Sequence, residues 1–284
     1  MLCVPCSILN VPFFFLDFHP ILSHNIRIKT MSNKIIVIKI GTNVITNNQG
    51  LLNQSVIGKL AVQVAALKRR NYGVVLVTSG AMGAGRSLVK PNIKLNKVET
   101  RQVLAAVGQI KLAGVYLSRF HKLGMSCAQV LTCKEDFRDK QHYFNMKNCL
   151  MALLKSDLVP IVNENDVVAV EELMFTDNDE LAGQIAAMVK ADRLIILTAV
   201  DGVKDDRGQI IKVIKKQSDY QRFVTAEKSS FGRGGMSAKC ATAMRSAKLG
   251  IKTHIINGKI SNGILKVVDG EKIGTIFAPI RKKV

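Results

Sequence analysis

The sequence predicts an α/β fold, a mainly parallel sheet covered on both faces by helices. Two observations carry this. Short β-branched runs alternate along the chain with longer segments of helical period, and the ends of the strand-like runs are rich in glycine, hydroxyl, amide and acidic residues, where such sheets place their ligands.

Taken in order, residues 34–40 (KIIVIKI) read as a buried strand closing at Gly41. Ile57, Leu60, Ala61, Val64 and Leu67 then recur at helical spacing. Lys68, Arg69 and Arg70 give that helix a cationic end, and Gly73 stops it. Residues 74–79 (VVLVTS) form the second strand, ending at Gly80. The alternation continues with a helix at 99–121, an extended run at 125–131, a helix at 141–155 and a short strand at 159–162. A helix at 179–190, a strand at 193–198, a helix at 236–249 and a strand at 251–256 complete it. Parallel strands joined by helices require right-handed crossovers. Residues 168–175 and 203–214 alternate less regularly and predict hairpins projecting from the sheet. A single domain over 31–284 is expected, behind a poorly ordered extension at 1–30. That extension holds Phe13, Phe14, Phe15 and three prolines, has no basic residue before Arg27, and is interrupted by Asp17, so it lacks the plan of a signal peptide. A weak membrane-surface or targeting tail is the alternative reading.

The chain is 48% hydrophobic and 22% charged, the composition of a globular protein with a core to bury. No apolar run is seen to reach the roughly 20 residues needed to cross a bilayer, so a membrane protein is not expected. The formal net charge of +20 favours an acidic or phosphorylated partner. Nucleic acid is disfavoured: aromatics are 5%, Trp is absent, and no helix-turn-helix, RRM or zinc-finger spacing occurs. The six cysteines are scattered, and Cys3 and Cys6 lack the strand-to-helix context of a redox pair, which fits a reducing cytoplasm.

Chemistry concentrates at the strand ends. Lys39 lies within the first strand, where an ammonium is costly unless it leaves at the tip or meets an anion. Thr78, Ser79, Gly80 and Ala81, followed by Gly83 and Gly85, can turn backbone N–H groups toward a ligand, although tight-turn geometry explains such glycines equally well. The run matches neither GxGxxG nor a Walker loop. Asn163, Glu164, Asn165 and Asp166 follow the strand at 159–162, and Asp177, Asn178, Asp179 and Glu180 open a helix. Helix capping explains one of these residues but not two dense clusters. Such clusters suit an ammonium ligand, the orientation of lysines, or hydrated Mg²⁺; a direct protein cage for metal is disfavoured and no metal ligand is assigned. Finally, 231–239 (FGRGGMSAK) combines Gly232, Gly234 and Gly235 with a helix start and Lys239, which together favour a phosphate site.

Six segments in order, KIGTN at 39–43, VTSGAMGAG at 77–85, LAAVGQ at 104–109, PIVNENDVV at 160–168, DNDELA at 177–182 and GRGGMSAK at 232–239, resemble the glutamate 5-kinases of the amino acid kinase family. The resemblance runs from residue 34 to about 277. It implies a three-layer α/β/α sandwich and ATP-dependent phosphorylation of the side-chain carboxylate of L-glutamate to L-glutamyl 5-phosphate, the first step of proline biosynthesis. It further implies that Lys39 and Lys239 act on the transferring phosphoryl group and that Asp179 orients both. Ser79, Gly80 and Ala81 would hold the glutamate carboxylates, with Asn163, Asp166 and Asn178 also binding substrate and Asp166 suited to its amino group. ATP, with Mg²⁺, would lie on Lys39, Gly41, Thr198 and Ala199 on one side. On the other side it would meet Gly234, Gly235, Met236, Ser237 and Lys239.

Two positions depart from the family pattern. Ala199 stands where an aspartate is usual, with Asp201 the nearest carboxylate to replace it, and Arg233 adds a cation to the glycine loop. A cytoplasmic homo-oligomer, with hand-off of the acyl phosphate to glutamyl phosphate reductase, is expected, as is a short form without a PUA domain.

Overall fold

The computed structural model describes residues 34–90, 94–169, 177–224 and 235–280. The expected extension at 1–30, most of the expected hairpin at 168–175, and Gly232, Arg233 and Gly234 lie outside the described residues.

The first half of the chain forms β1 (Ile35–Ile40), α1 (Thr42–Ile45), α2 (Gln54–Arg69), β2 (Gly73–Thr78), α3 (Ala81–Arg86), α4 (Lys97–His121), β3 (Cys127–Thr132) and α5 (Lys140–Lys155). It continues as β4 (Val159–Glu164), α6 (Asn178–Met188), β5 (Arg193–Thr198), β6 (Val213–Ile214), α7 (Met236–Lys248), β7 (Lys252–Asn257), α8 (Gly263–Val268) and β8 (Thr275–Phe277). The eight strands make one sheet in the order β3-β4-β2-β1-β5-β7-β8-β6, parallel throughout except for the antiparallel pair β7 and β8.

Both faces of this sheet are covered, which is why the central strands read as unbroken apolar runs: all six residues of β1 are buried. Side-chain alternation divides the strands between two cores. Ile35, Val37, Val75, Val77 and Ile196 face Leu181 and Ile185 of α6 and Ala243 and Ala247 of α7. Ile36, Ile38, Ile40, Leu76 and Ile195 face Leu60 and Val64 of α2, Leu112 and Tyr116 of α4, and Ile264 of α8. The result is the three-layer sandwich.

Most predicted elements fall within two residues of their observed bounds, and the differences have local causes. α4 begins two residues early because Asn96 and Glu99 form a reciprocal capping box: the Glu99 N–H donates to Asn96 Oδ1 at 2.9 Å and the Asn96 N–H to Glu99 Oε2 at 2.8 Å. The segment at 203–214 is only partly a hairpin. Lys204 and Ile210 bridge across a turn, but Val213 and Ile214 join the sheet as β6 beside β8 rather than projecting from it. Gly83 and Gly85 are not loop residues. They lie inside α3, and only Gly80, at φ +102°, makes the turn. Among the described residues α4 is long and apolar enough to cross a membrane by length and composition, contrary to the sequence expectation. It packs on the sheet through Leu112, Tyr116 and Phe120.

Candidate active site

Alternation along β1 places Lys39 on the same face as Ile35 and Val37, against the layer that contains α6 and α7, and at the carboxyl end of the strand. Its side chain is only 6% exposed. The counter-charge such burial demands is Asp179, in the first turn of α6 and wholly buried: Lys39 Nζ lies 2.7 Å from Asp179 Oδ1, and Lys239 Nζ donates to Asp179 Oδ2, also at 2.7 Å. The Lys39 contact is an ion contact outside good hydrogen-bond alignment. Burial pushes the Asp179 carboxyl up, but Lys39 and then Lys239 outweigh it and hold it below the usual carboxylate range. One anion thus holds two ammonium groups near one another, leaving the trio with a net positive charge to offer an incoming anion.

Local sequence explains how the trio is built. Asp177 caps α6, its Oδ1 accepting from the N–H groups of Asp179 at 2.9 Å and Glu180 at 3.0 Å, and so fixes the turn that carries Asp179. Burial and the nearby Asp179 charge push the Asp177 carboxyl up to about 6, and its Oδ2 is buried with no hydrogen bond among the described residues. α7 starts at Gly235, which has no side chain to cap it, and Lys239 sits in its first turn and a half. Gly41 follows β1 directly. A Cβ there would stand 3.6 Å from Lys39 Nζ, so glycine keeps that ammonium open to a ligand group.

A second, neutral group adjoins the first. Asn178 Nδ2 donates to Thr78 O at 2.7 Å, Ser79 Oγ at 2.8 Å and Asn163 Oδ1 at 3.0 Å, tying together the carboxyl ends of β2 and β4 and the start of α6. Ser79, Asn163 and Asn178 are therefore brought together, with Gly80 as the N-cap and Ala81 as the first residue of α3 directly after Ser79. Among the described residues Asn163 Nδ2 is buried without a hydrogen-bond partner, a donor left over at the junction.

Asp166 sits differently. It lies in the turn after β4, and its Oδ1 accepts from Arg101 Nη2 at 2.6 Å and Nε at 3.2 Å, both side chains being about 15% exposed. Sequence reading passed over Arg101, since an arginine in a helix ordinarily faces water. At the carboxyl end of β5, Thr198 is buried at the strand tip, Ala199 is exposed, and Asp201 accepts from Asn257 Nδ2 at 2.9 Å. Met236 and Ser237 open α7, whereas Gly234 lies outside the described residues.

The motif at 104–109 owes its glycine and glutamine to packing. A methyl group on Gly108 would collide with the carbonyl of Ala81, and Gln109 Nε2 donates to Glu164 O at 3.3 Å.

The sequence model of the amino acid kinase family matches residues 34–257. The chain is 48% identical over 252 residues to the glutamate 5-kinase of Chlorobaculum tepidum, covering 87% of this chain and 70% of that protein. It is 41% identical over 251 residues to the glutamate 5-kinase of Bacteroides thetaiotaomicron, covering 86% and 70%. With the Thermotoga maritima glutamate 5-kinase the identity is 36% over 244 residues, covering 86% and 68%. Among solved structures, UMP kinase from Ureaplasma parvum superposes with a TM-score of 0.59 at 17% identity, covering 86% of this chain and 99% of that one, a likeness of fold.

Proposed function

The chain belongs to the amino acid kinase family, and on that premise we propose how its residues perform the reaction. The protein is a glutamate 5-kinase in activity: it transfers the terminal phosphoryl group of ATP to the side-chain carboxylate of L-glutamate, giving L-glutamyl 5-phosphate and opening proline biosynthesis. A carboxylate oxygen attacks the terminal phosphorus, the bond to the bridging oxygen breaks, and ADP leaves with its electron pair. The transition state is loose and places charge on the peripheral oxygens, so catalysis rests on alignment and neutralisation.

Lys39 and Lys239 supply that neutralisation, and Asp179 holds them at the spacing at which both meet one phosphoryl group. The single observation that carries this reading is the pair of ammonium groups, each 2.7 Å from a different oxygen of one wholly buried carboxylate. The uncapped start of α7 at Gly235, with Met236 and Ser237, adds backbone N–H groups and a helix dipole toward nucleotide phosphates. Thr198 and Ala199 would lie beside the nucleotide, and Ala199, carrying no carboxylate, would leave any such contact to Asp201. Ser79, Gly80, Ala81, Asn163 and Asn178 receive glutamate, with the spare donor of Asn163 facing a carboxylate and Asp166 reading the ammonium.

Mg²⁺ fits the site as a passenger of the nucleotide. No group of three metal-ligating side chains occurs among the described residues, and Asp177, with a buried unbonded oxygen, is the side chain suited to meet a hydrated ion. Bound there, the ion would offset phosphate charge. The four described cysteines are free thiols, which supports the cytoplasm, and the hydrolytic lability of an acyl phosphate favours direct hand-off to glutamyl phosphate reductase.

The test is a hydroxamate assay. Hydroxylamine should trap product only when ATP and L-glutamate are both present, and Lys39→Ala and Lys239→Ala should each lower kcat by about 100-fold or more with the melting transition retained. Full activity in either variant would refute its assigned role.

A further inference from the structure

Three side chains of α4 grip the segment that leaves β4. Arg101 holds the Asp166 carboxylate, Gln102 Nε2 donates to Val167 O at 2.7 Å, and Gln109 Nε2 reaches Glu164 O. The region is rich in acid: besides burial, the charges of Asp136, Glu164, Glu135 and Asp166 all raise the Cys133 thiol. A carboxylate in such company is repelled by its neighbours and, on a turn, is free to rotate. Arg101 counters both effects. Its Nη2 and Nε both donate to Oδ1, at 2.6 Å and 3.2 Å, and among the described residues no hydrogen bond reaches Oδ2. Two charged donors from one rigid plane anchor that oxygen more firmly than a single ammonium would.

We propose that Arg101 is a positioning residue for substrate specificity: by clamping Oδ1 of Asp166 it presents Oδ2 to the α-ammonium of the amino-acid substrate. The inference rests on Asp166 reading that ammonium. Selection of an amino acid over a plain dicarboxylate then depends on a residue of α4 that touches no substrate. A clamp of this kind acts on substrate affinity and leaves the phosphoryl-transfer step alone, because Lys39, Lys239 and Asp179 lie on other elements.

The experiment compares L-glutamate with glutarate, which has the same two carboxylates and no amino group, as substrate and as competing ligand. Arg101→Gln should raise the KM for L-glutamate more than about tenfold while kcat and the KM for ATP stay within about threefold. Its affinity for glutarate should change by less than about threefold, and Arg101→Lys, which keeps the charge, should recover most of the loss. Unchanged KM for L-glutamate in Arg101→Gln, or an equal loss for glutarate, would overturn the proposal, the latter marking a merely structural role for the turn. Asp166→Asn separates the two readings: if it retains the preference for glutamate over glutarate, the ammonium role of Asp166 fails, whereas loss there without loss in Arg101→Gln sinks only the clamp.

Discussion

Lys39 is tolerable in a buried strand because its charge is matched within 2.7 Å, and the same buried carboxylate serves Lys239. His254, buried in β7, has no such support: neither ring nitrogen has a hydrogen-bond partner among the described residues. Burial, with Arg193 and Lys252 nearby, pushes its pKa down from 6.5 to about 3. The folded protein therefore keeps His254 neutral while the unfolded chain takes up a proton near its ordinary value. This group's contribution is whole above about pH 6.5 and is lost as pH falls toward 3. His254→Leu should accordingly stabilise the protein by about 1–3 kcal/mol at pH 7. Its advantage over wild type should widen by about 1 kcal/mol per pH unit on acidification below pH 6, read from urea unfolding at several pH values.

At the scale of elements, α3 and α4 touch backbone to backbone. A Cβ on Gly85 would fall on the carbonyl of Leu104, and one on Gly108 on that of Ala81. These glycines serve contact between helices, and the contact sets where Ser79, Gly80 and Ala81 sit. Gly108→Ala must push α3 off α4, with an expected loss of about 3 kcal/mol and a KM for glutamate raised more than that for ATP. Gly58→Ala in α2, where the added methyl finds only an ordinary contact at 3.8 Å, should instead stabilise by about 0.5–1 kcal/mol. Thermal melts and steady-state kinetics of both variants check the contrast. For Gly85 the sequence pointed to a ligand loop where the structure has a helix crossing, since both call for a missing side chain, and to Gly108 it assigned no work. The three-residue strand β8 was missed for a related reason: it is too short to show a period, and only its pairing with β7 and β6 makes it a strand.

At the scale of the molecule, α4 leaves an apolar stripe in solvent: Val103 is 39% exposed, Ile110 78% and Leu117 53%, at seven-residue spacing. The stripe favours the homo-oligomer expected from the sequence, which we propose here, because helices that pair in water do so through residues repeating at this interval. Ile110→Lys should yield a smaller species than wild type in sedimentation velocity at micromolar concentration, with the melting transition preserved. A wild type that is monomeric throughout would remove the proposal.

What the sequence determined by itself was the order of the longer strands and helices, the burial of the central strands, and the placing of Lys39, Ser79, Asn163 and Thr198 at strand ends, because apolar period is a local property of the chain. What the tertiary structure decided was adjacency. Asp179 meets a lysine 60 residues later and another in β1, and Asp166 meets Arg101 from 65 residues before it, in α4. Such pairings follow from which helix crosses which face of the sheet, and burial of the whole core fixes that, not any stretch of residues within it.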